Sequence, residues 1–264
     1  MYDWGWFSSR AYDLPIICVG NLSVGGTGKS PMIEYLIKLL QNDYKVATLS
    51  RGYKRQTKGF LLADENTTPD KIGDEPFQFF KKFENVLVSV DANRQQGIAR
   101  LMELKEKPDV ILLDDAFQHR SVKAGLNILL TTYNHLYTND ICLPTGNLRE
   151  PRSGARRADI IVVTKCPSTM DIQEKNNIKI KLNVRSKQLV FFSTIKYSAT
   201  IYSKTDTVDL SRLKSKPFTL VTGIANAKPL IDYLSKEGFN FEHINYGDHH
   251  NFSETEIAYL NKKD

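Results

Sequence analysis

The chain has 264 residues, of which 41% are hydrophobic and 25% charged, and its formal net charge is +6. This length suffices for one large α/β domain or for a core with a smaller lobe. The positive charge favours an anionic partner such as a nucleotide, a phospholipid or a nucleic acid, without choosing among them. Its three cysteines are far apart, which fits neither a disulfide framework nor a metal site and predicts reduced thiols in the cytosol. No stretch approaches the ~20 apolar residues of a membrane span.

The first predicted strand, residues 15–20, leads into a glycine-rich loop that reads SVGGTGKS over residues 23–30. Between a strand and a helix, such a loop turns its backbone N–H groups toward a phosphate. Lys29 would reach the β- and γ-phosphates, and the hydroxyl of Ser30 would ligate Mg²⁺. Ser23 stands where the common pattern has its first glycine, so a chance glycine-rich turn is the alternative. The predicted nucleotide-binding residues are Ser23, Val24, Gly25, Gly26, Thr27, Gly28, Lys29 and Ser30.

Two polar motifs follow before the middle of the chain. The second predicted strand runs into a basic loop, residues 50–55, in which Arg51 either neutralises a phosphate or is solvated. The motif Gly-Asp-Glu-Pro at residues 73–76 then begins a helix-like segment. Asp74 and Glu75 either complement the dipole of that helix or belong to a site, and the local pattern does not choose.

An apolar run over residues 110–114 predicts a strand that ends in two carboxylates, Asp114 and Asp115. In phosphate-loop enzymes an Asp at such a strand tip holds Mg²⁺, often through water. An aspartate at a strand end is also a common turn residue. Combined with the glycine-rich loop, the pattern predicts a metal-linked role for one of the two, without saying which.

Further polar side chains follow the ends of other predicted strands, where open α/β sheets bind ligands. One run directly follows Asp115, and a second, residues 148–157, carries four arginines and Glu150. Arginine forks bind phosphate bidentately. Glu150, surrounded by positive charge, is expected to be ionised and either faces Mg²⁺ or pairs with an arginine. The candidates for contact with a substrate phosphate are Arg51, Gln118, His119, Arg120 and Arg149.

Continuous apolar strands that alternate with helical patterns indicate a parallel sheet buried on both faces. We therefore predict a phosphate-loop NTPase-like α/β fold, a mostly parallel sheet with helices on both faces, plus a smaller C-terminal α/β lobe. The last core strand, residues 160–164, leads to Thr-Lys-Cys-Pro, where GTPases place a guanine-reading Asp. Pro167 removes that carboxylate, which favours ATP over GTP.

Changes in composition and in hydrophobic pattern divide the chain into three predicted parts. Residues 1–14 are rich in aromatic side chains, and such a segment either contacts a membrane interface or packs on the core. Residues 15–185 form the phosphate-loop core, and residues 186–264 form the smaller lobe, in which a β-α-β pattern begins near residue 218. The lobe also carries Asp-His-His, where His249 either belongs to a site or is an ordinary surface residue.

In order and spacing, these motifs resemble one family, the tetraacyldisaccharide 4′-kinases of Gram-negative bacteria. Its members phosphorylate the 4′-hydroxyl of a tetraacylated glucosamine disaccharide 1-phosphate with ATP and Mg²⁺, giving lipid IVA in lipid A biosynthesis. The resemblance implies that Asp74 is the general base and that His249 orients it. It also implies phosphoryl-transfer roles for Asp114, Asp115 and Glu150. The segments that carry the resemblance are residues 19–31, 50–53, 73–76, 114–120, 143–151 and 248–249.

For this chain, the resemblance implies peripheral attachment to the cytoplasmic face of the inner membrane, with neither a nucleic acid nor an obligate protein partner. In the family, Ser at position 23 is usual. The ends depart from the family pattern, because an aromatic stub replaces a longer amphipathic segment and the chain stops soon after Asp248-His249. We therefore expect a fragment of a longer protein.

Two alternatives share the glycine-rich loop. One is a nucleotide-dependent switch or partitioning ATPase, and the other is a different small-molecule enzyme such as an ATP-dependent carboxylase. The switch accounts for neither the Gly-Asp-Glu-Pro motif at residues 73–76 nor Asp248-His249.

Overall fold

The computed structural model describes residue 2 and residues 7–203, 206–224, 226–247 and 250–262. The chain divides into two compact units, residues 1–195 and 196–264. The strands of the first unit are β1 (Ile16–Asn21), β2 (Val46–Ser50), β3 (Leu61–Leu62), β4 (Leu87–Val90), β5 (Val110–Asp114), β6 (Leu126–Thr132), β7 (Ile160–Thr164) and β8 (Leu189–Phe192). Its α-helices are α1 (Lys29–Leu40), α2 (Pro69–Ile72), α3 (Asp74–Lys82), α4 (Arg94–Met102) and α5 (Ile172–Leu182).

The eight strands form one sheet in the order β3-β4-β2-β5-β1-β6-β7-β8. All neighbours are parallel except β3, which pairs antiparallel with β4 at one edge. The central strands β2 and β5 are buried along their whole length, because helices cover both sides of the sheet. This arrangement confirms the predicted α/β class.

The two faces of the sheet carry separate apolar clusters. One cluster packs α1 and α3 against the sheet through Ile33, Ile37 and Phe79. The opposite cluster packs α4 and α5 through side chains that include Leu101 and Leu182. Each helix therefore contributes one apolar stripe to the core.

The parallel strands bring their carboxyl ends to one edge of the sheet. The glycine-rich loop follows β1, the basic loop follows β2, and Asp114 and Asp115 stand at the end of β5. Segments far apart in the chain thus meet at this edge, which is where ligands bind in open α/β sheets.

The second unit contains two small sheets. β9 (Thr200–Tyr202) and β10 (Thr207–Asp209) pair antiparallel, and β11 (Phe218–Thr222) pairs parallel with β12 (Phe241–Asn245). A helix, α6 (Lys228–Lys236), connects β11 to β12, which is the β-α-β pattern expected from the sequence. The unit also contains α7 (Glu254–Leu260).

The large sheet extends further along the chain than residue 185, where the sequence places the end of the core. β8 pairs with β7, so the first unit includes this strand and runs to residue 195. None of the helices within the described residues has both the length and the apolar character needed to cross a bilayer.

Candidate active site

The glycine-rich loop turns sharply between β1 and α1 because two glycines adopt a left-handed backbone. Gly25 has φ +99° and Gly28 has φ +88°, a region that residues with a Cβ rarely enter. Gly28 directly precedes α1, and no side chain among the described residues caps this helix. The N–H groups of its first turn are therefore available to an anion.

Two polar side chains hold the loop from the sheet below. Asn21, the last residue of β1, donates its Nδ2 to Thr27 Oγ1 at 2.9 Å. Thr164, the last residue of β7, donates its Oγ1 to the carbonyl of Thr27 at 2.8 Å. The sequence analysis assigned an anchoring role to neither residue. The feature that could have indicated it is that each is a polar residue at the end of an apolar strand.

The segment with Arg149 and Glu150 lies beside the start of the glycine-rich loop. The N–H of Val24 donates to the carbonyl of Asn147 at 2.8 Å, and the N–H of Arg149 donates to the carbonyl of Leu22 at 2.7 Å. Ser23 and Leu148 form an antiparallel bridge between these bonds. Residue 23 therefore belongs to a short ladder, which brings Arg149 to the nucleotide-binding loop.

The carboxylate of Asp115 is the more exposed of the two at the end of β5, and it is paired. Arg149 Nη1 donates to both of its oxygens, at 2.8 and 2.9 Å. Lys29 Nζ lies 3.7 Å from Asp115 Oδ1. Asp115 has φ +47°, a left-handed conformation that aspartate tolerates better than most residues. The predicted loop lysine and one predicted metal residue thus form an ion pair with each other.

The carboxyl of Asp114 points into a different environment, because it is only 2% exposed. Ser50 Oγ lies 3.4 Å from its Oδ2, whereas its Oδ1 has no hydrogen-bond partner among the described residues. Burial raises the pKa of Asp114 to about 7, and the negative charges of Glu75 and Asp115 add to the rise. Lys29 and Arg94 oppose it only in part.

Behind Asp114 lies a buried guanidinium that was not predicted from the sequence. Arg94 is the first residue of α4 and is 1% exposed. It donates to the carbonyl oxygens of Asp91 and Asp114, at 2.6 and 3.3 Å. Burial lowers its pKa to about 10, with Asp114 and Asp115 opposing the change. An arginine near a helix start is unremarkable in sequence, so only the fold reveals this position.

The beginning of α3 lies beside the phosphate-binding loop. Ser30 Oγ donates to Glu75 Oε1 at 2.6 Å, which places the first turn of α3 next to the predicted metal-ligating hydroxyl. Gly73 has φ +92°, and a Cβ there would lie 2.9 Å from the carbonyl oxygen of Tyr53. Asp74, the exposed first residue of α3, follows this constrained glycine. Glu75 stood in the recognised motif, but only Asp74 was assigned a role.

Glu150 adopts one of the two arrangements that the sequence left open. Arg157 Nη2 contacts both of its oxygens at 2.8 Å. Gln118 Nε2 donates to Glu150 Oε1 at 3.0 Å and to the carbonyl of Asn21 at 2.8 Å. Glu150 therefore pairs with an arginine, and its link to a metal stays a prediction.

The other phosphate candidates are more dispersed. His119 is half-buried, and its pKa is lowered by burial and then by the positive charges of Arg94 and Arg51. Arg51 is exposed. The guanidinium of Arg120 lies 5.1 Å from the ring centroid of Tyr2, which belongs to the N-terminal aromatic segment. Their contact with a substrate stays a prediction.

The described residues do not include the predicted partner of Asp74, and they contain no preformed metal cluster. Asp248 and His249 lie outside the described residues, so the proposed partner of Asp74 stays a prediction. In the described ranges, no three His, Cys, Asp or Glu side chains cluster with metal-binding geometry. Mg²⁺, however, takes one or two carboxylates together with substrate phosphates and water. The unpartnered, buried Oδ1 of Asp114, a carboxyl that feels the charge of Glu75, fits such a donor set together with the Ser30 hydroxyl.

Comparison with known proteins extends over the whole chain. A family model described as LpxK, tetraacyldisaccharide-1-P 4′-kinase, matches residues 1–264. The tetraacyldisaccharide 4′-kinase of Flavobacterium johnsoniae is 52% identical over 263 residues, which are 100% of this chain and 77% of that protein. The Bacteroides fragilis protein of the same name is 46% identical over 270 residues, 100% of this chain and 72% of that protein. A crystal structure of "apo" form LpxK from Aquifex aeolicus in complex with ATP superposes with a TM-score of 0.79 at 32% identity, covering 96% of this chain and 77% of that one.

Proposed function

Because the chain belongs to the tetraacyldisaccharide-1-P 4′-kinase family, we propose that it transfers the γ-phosphoryl group of ATP to the 4′-hydroxyl of a tetraacyldisaccharide 1-phosphate. The product would be lipid IVA, in lipid A biosynthesis. The alternative of a nucleotide-dependent switch is disfavoured, because the relatives at 52% and 46% identity are named as kinases.

The phosphate-binding side of the reaction rests on the loop and its surroundings. The N–H groups of residues 25–30 would bind the phosphates of ATP, and Lys29 would neutralise the β- and γ-phosphates. Lys29 is already positioned by Asp115, which is in turn held by Arg149. An ATP complex of the Aquifex aeolicus relative supports ATP as the nucleotide.

The residues that would hold Mg²⁺ are Ser30 and Asp114. The Ser30 hydroxyl donates a hydrogen bond to Glu75, which leaves the lone pairs of Ser30 Oγ free for a cation. When bound, Mg²⁺ neutralises negative charge on the transferring phosphoryl group. Its attraction for the carboxylate would also favour the ionised form of Asp114, which burial disfavours.

The acceptor side rests on one observation, the hydrogen bond between Ser30 and Glu75. This bond brings the start of α3 to the phosphate loop, which supports the proposal that Asp74, the residue before Glu75, would act on the hydroxyl that attacks the γ-phosphate. The Asp74 carboxylate would take the proton of the sugar hydroxyl while that oxygen bonds to the γ-phosphorus and ADP leaves. His249 would orient this carboxylate.

We also propose that the protein works at the cytoplasmic face of the inner membrane as a peripheral protein. Its substrate carries four acyl chains, so the enzyme must meet a lipid surface. The aromatic side chains of the N-terminal segment would supply apolar contact, and the net positive charge suits an anionic leaflet.

The test is Asp74→Asn, with Asp70→Asn as its matched control on the preceding helix. Both changes remove one exposed carboxylate and keep its shape. We expect Asp74→Asn to lower the kcat for lipid phosphorylation by roughly 10²–10⁴, the range for loss of a general base. ATP affinity should be unchanged, and Asp70→Asn should behave as the wild type. Normal lipid phosphorylation by Asp74→Asn would overturn the assignment of the base.

A further inference from the structure

The first unit contains a cavity whose lining includes none of the residues assigned to phosphoryl transfer. The cavity has a volume of about 490 Å³, within the range of small-molecule sites. The 3-10 helix over Arg152–Arg157 and the end of α5 form its walls. We propose that it binds an organic phosphate.

All the charged side chains that line the cavity are positive. Arg152, Arg156, Lys181 and Arg185 line the cavity, and none of the lining residues is acidic. Throughout the part of the chain that the structure describes, no carboxylate forms an ion pair with Arg156, Lys181 or Arg185. Clustered cations repel one another, so an anion that neutralises them would be bound favourably.

The carbonyl groups at the end of α5 would repel an anion, but bonds within the wall occupy two of them. The hydroxyl of Tyr137 donates to the carbonyl of Leu182 at 3.0 Å. The N–H of Asn183, which ends the helix in a left-handed conformation, donates to the carbonyl of Ile180 at 3.0 Å. The positive side chains therefore determine which charge the cavity attracts.

The walls are also fixed relative to each other. Gln188 Nε2 donates to the carbonyl oxygens of Ala155 and Ala158, both at 2.8 Å. These bonds join the segment before β8 to the 3-10 helix. A preorganised site loses less free energy on binding than one that must be ordered first.

The lining favours an organic phosphate over a bare phosphate ion. Ala155, Leu182 and Val184 add apolar surface beside the cations, against which the carbon skeleton of a ligand would pack. Arginine side chains would bind the phosphate oxygens bidentately. A phospholipid headgroup and a soluble phosphate ester share this chemistry.

The cavity is separate from the ATP site in the fold. Asn183, Arg185 and Gln188 lead into β8 at the amino end of the parallel strands, whereas the N–H of Tyr137 donates to Thr131 Oγ1 near the carboxyl end of β6. None of the lining residues belongs to the glycine-rich loop, residues 23–30. The glycine-rich loop follows the carboxyl end of β1. Binding at the cavity therefore does not require an empty phosphate loop.

The test uses the full chain with the phosphate loop saturated by a non-hydrolysable ATP analogue. Binding of glycerol 1-phosphate, a soluble phosphate ester, is followed by calorimetry, and binding to phosphatidylcholine vesicles with and without phosphatidylglycerol is followed by sedimentation. The variant Arg156→Gln/Arg185→Gln removes two cavity cations. Its control, Lys105→Gln/Lys107→Gln, removes two exposed cations from the segment between α4 and β5. Thermal unfolding checks that both variants remain folded.

We expect the cavity variant to lose about tenfold or more in affinity for one probe, the effect of losing charge-assisted hydrogen bonds, while the control loses less than about twofold. Loss confined to glycerol 1-phosphate identifies a soluble phosphate ester as the ligand, and loss confined to phosphatidylglycerol vesicles identifies a lipid headgroup. Equal losses in both variants, or no loss in the cavity variant, would overturn the proposal. Since no turnover is measured, the result is independent of the kinase assay.

Discussion

The site contains two regions whose charged groups differ in burial and in pairing. The inner region, Asp114 with Arg94 and Ser50, is buried, and its charged groups are poorly compensated. The outer region, Asp115 with Lys29 and Arg149, is partly exposed and fully paired, with side-chain exposures of 34%, 13% and 28%. Adjacent residues of one strand end thus have different chemistry.

This difference teaches what each region contributes. In the outer region, the ion pairs hold the side chains in position. Because water screens these partly exposed charges, each ion pair adds little to the free energy of unfolding. In the inner region, burial without a full complement of partners opposes ionisation of Asp114. A bound cation would stabilise such a group, which supports the proposal that Asp114 holds Mg²⁺ while Asp115 aligns Lys29 and Arg149.

The largest expected effect is the removal of the buried guanidinium. Arg94→Met would leave the carbonyl oxygens of Asp91 and Asp114 without their donor and Asp114 without its buried positive neighbour. We expect the free energy of unfolding to fall by about 3–5 kcal/mol, measured by urea denaturation. The control on the same helix is Arg100→Met, whose exposed pair with Glu103 should contribute at most ~0.5 kcal/mol. A fall below about 1 kcal/mol for Arg94→Met would show that the inner region does not depend on this charge.

The next effect concerns pH. Because the folded pKa of Asp114 is raised to about 7, the folded state retains its proton at a pH where the unfolded chain has lost it. The contribution of Asp114 to wild-type stability should therefore fall as the pH rises from about 4 to about 7 in metal-free buffer. Asp114→Asn should be more stable than the wild type by about 2–4 kcal/mol at pH 8, and this advantage should disappear near pH 4.

The outer carboxylate is the control for that prediction. Asp115→Asn should show no gain in stability at pH 8, because its charge is paired. Both variants should lose kinase activity, so the gain in stability by Asp114→Asn would mark a residue kept for function at a cost in stability. Equal pH profiles for the two variants would erase the distinction between the regions.

How far the sequence predicts this site follows from the same contrast. The sequence predicts the glycine-rich loop and the carboxylates at the end of β5 because each is recognised from neighbouring residues. The loop lies between an apolar strand and a helix, and the carboxylates follow an apolar strand. Whether Asp114 or Asp115 faces the core could not be predicted, since it depends on how β5 meets its neighbours. The Ser30–Glu75 contact joins residues 45 positions apart, and neither local sequence predicts it.

The fold shows the same division. The strands buried on both faces were predicted as continuous apolar runs, because their environment is uniform along the strand. β8 was assigned outside the core because it is an edge strand in which exposed and half-buried residues alternate. Thr164 was predicted only as part of a nucleotide-specificity motif, and its bond to the loop became visible with the fold.

The smallest expected effect is the coupling between Asp115 and Arg149. A double-mutant cycle with Asp115→Asn and Arg149→Gln isolates their interaction, and asparagine also tolerates the left-handed backbone at residue 115. Because both side chains are partly exposed, we expect a coupling energy of about 0.5–1 kcal/mol in urea denaturation at low salt. It should shrink toward zero near ~1 M salt, where the screening length falls to about 3 Å. A coupling above about 2 kcal/mol that persists in salt would mean that the outer region is as desolvated as the inner one.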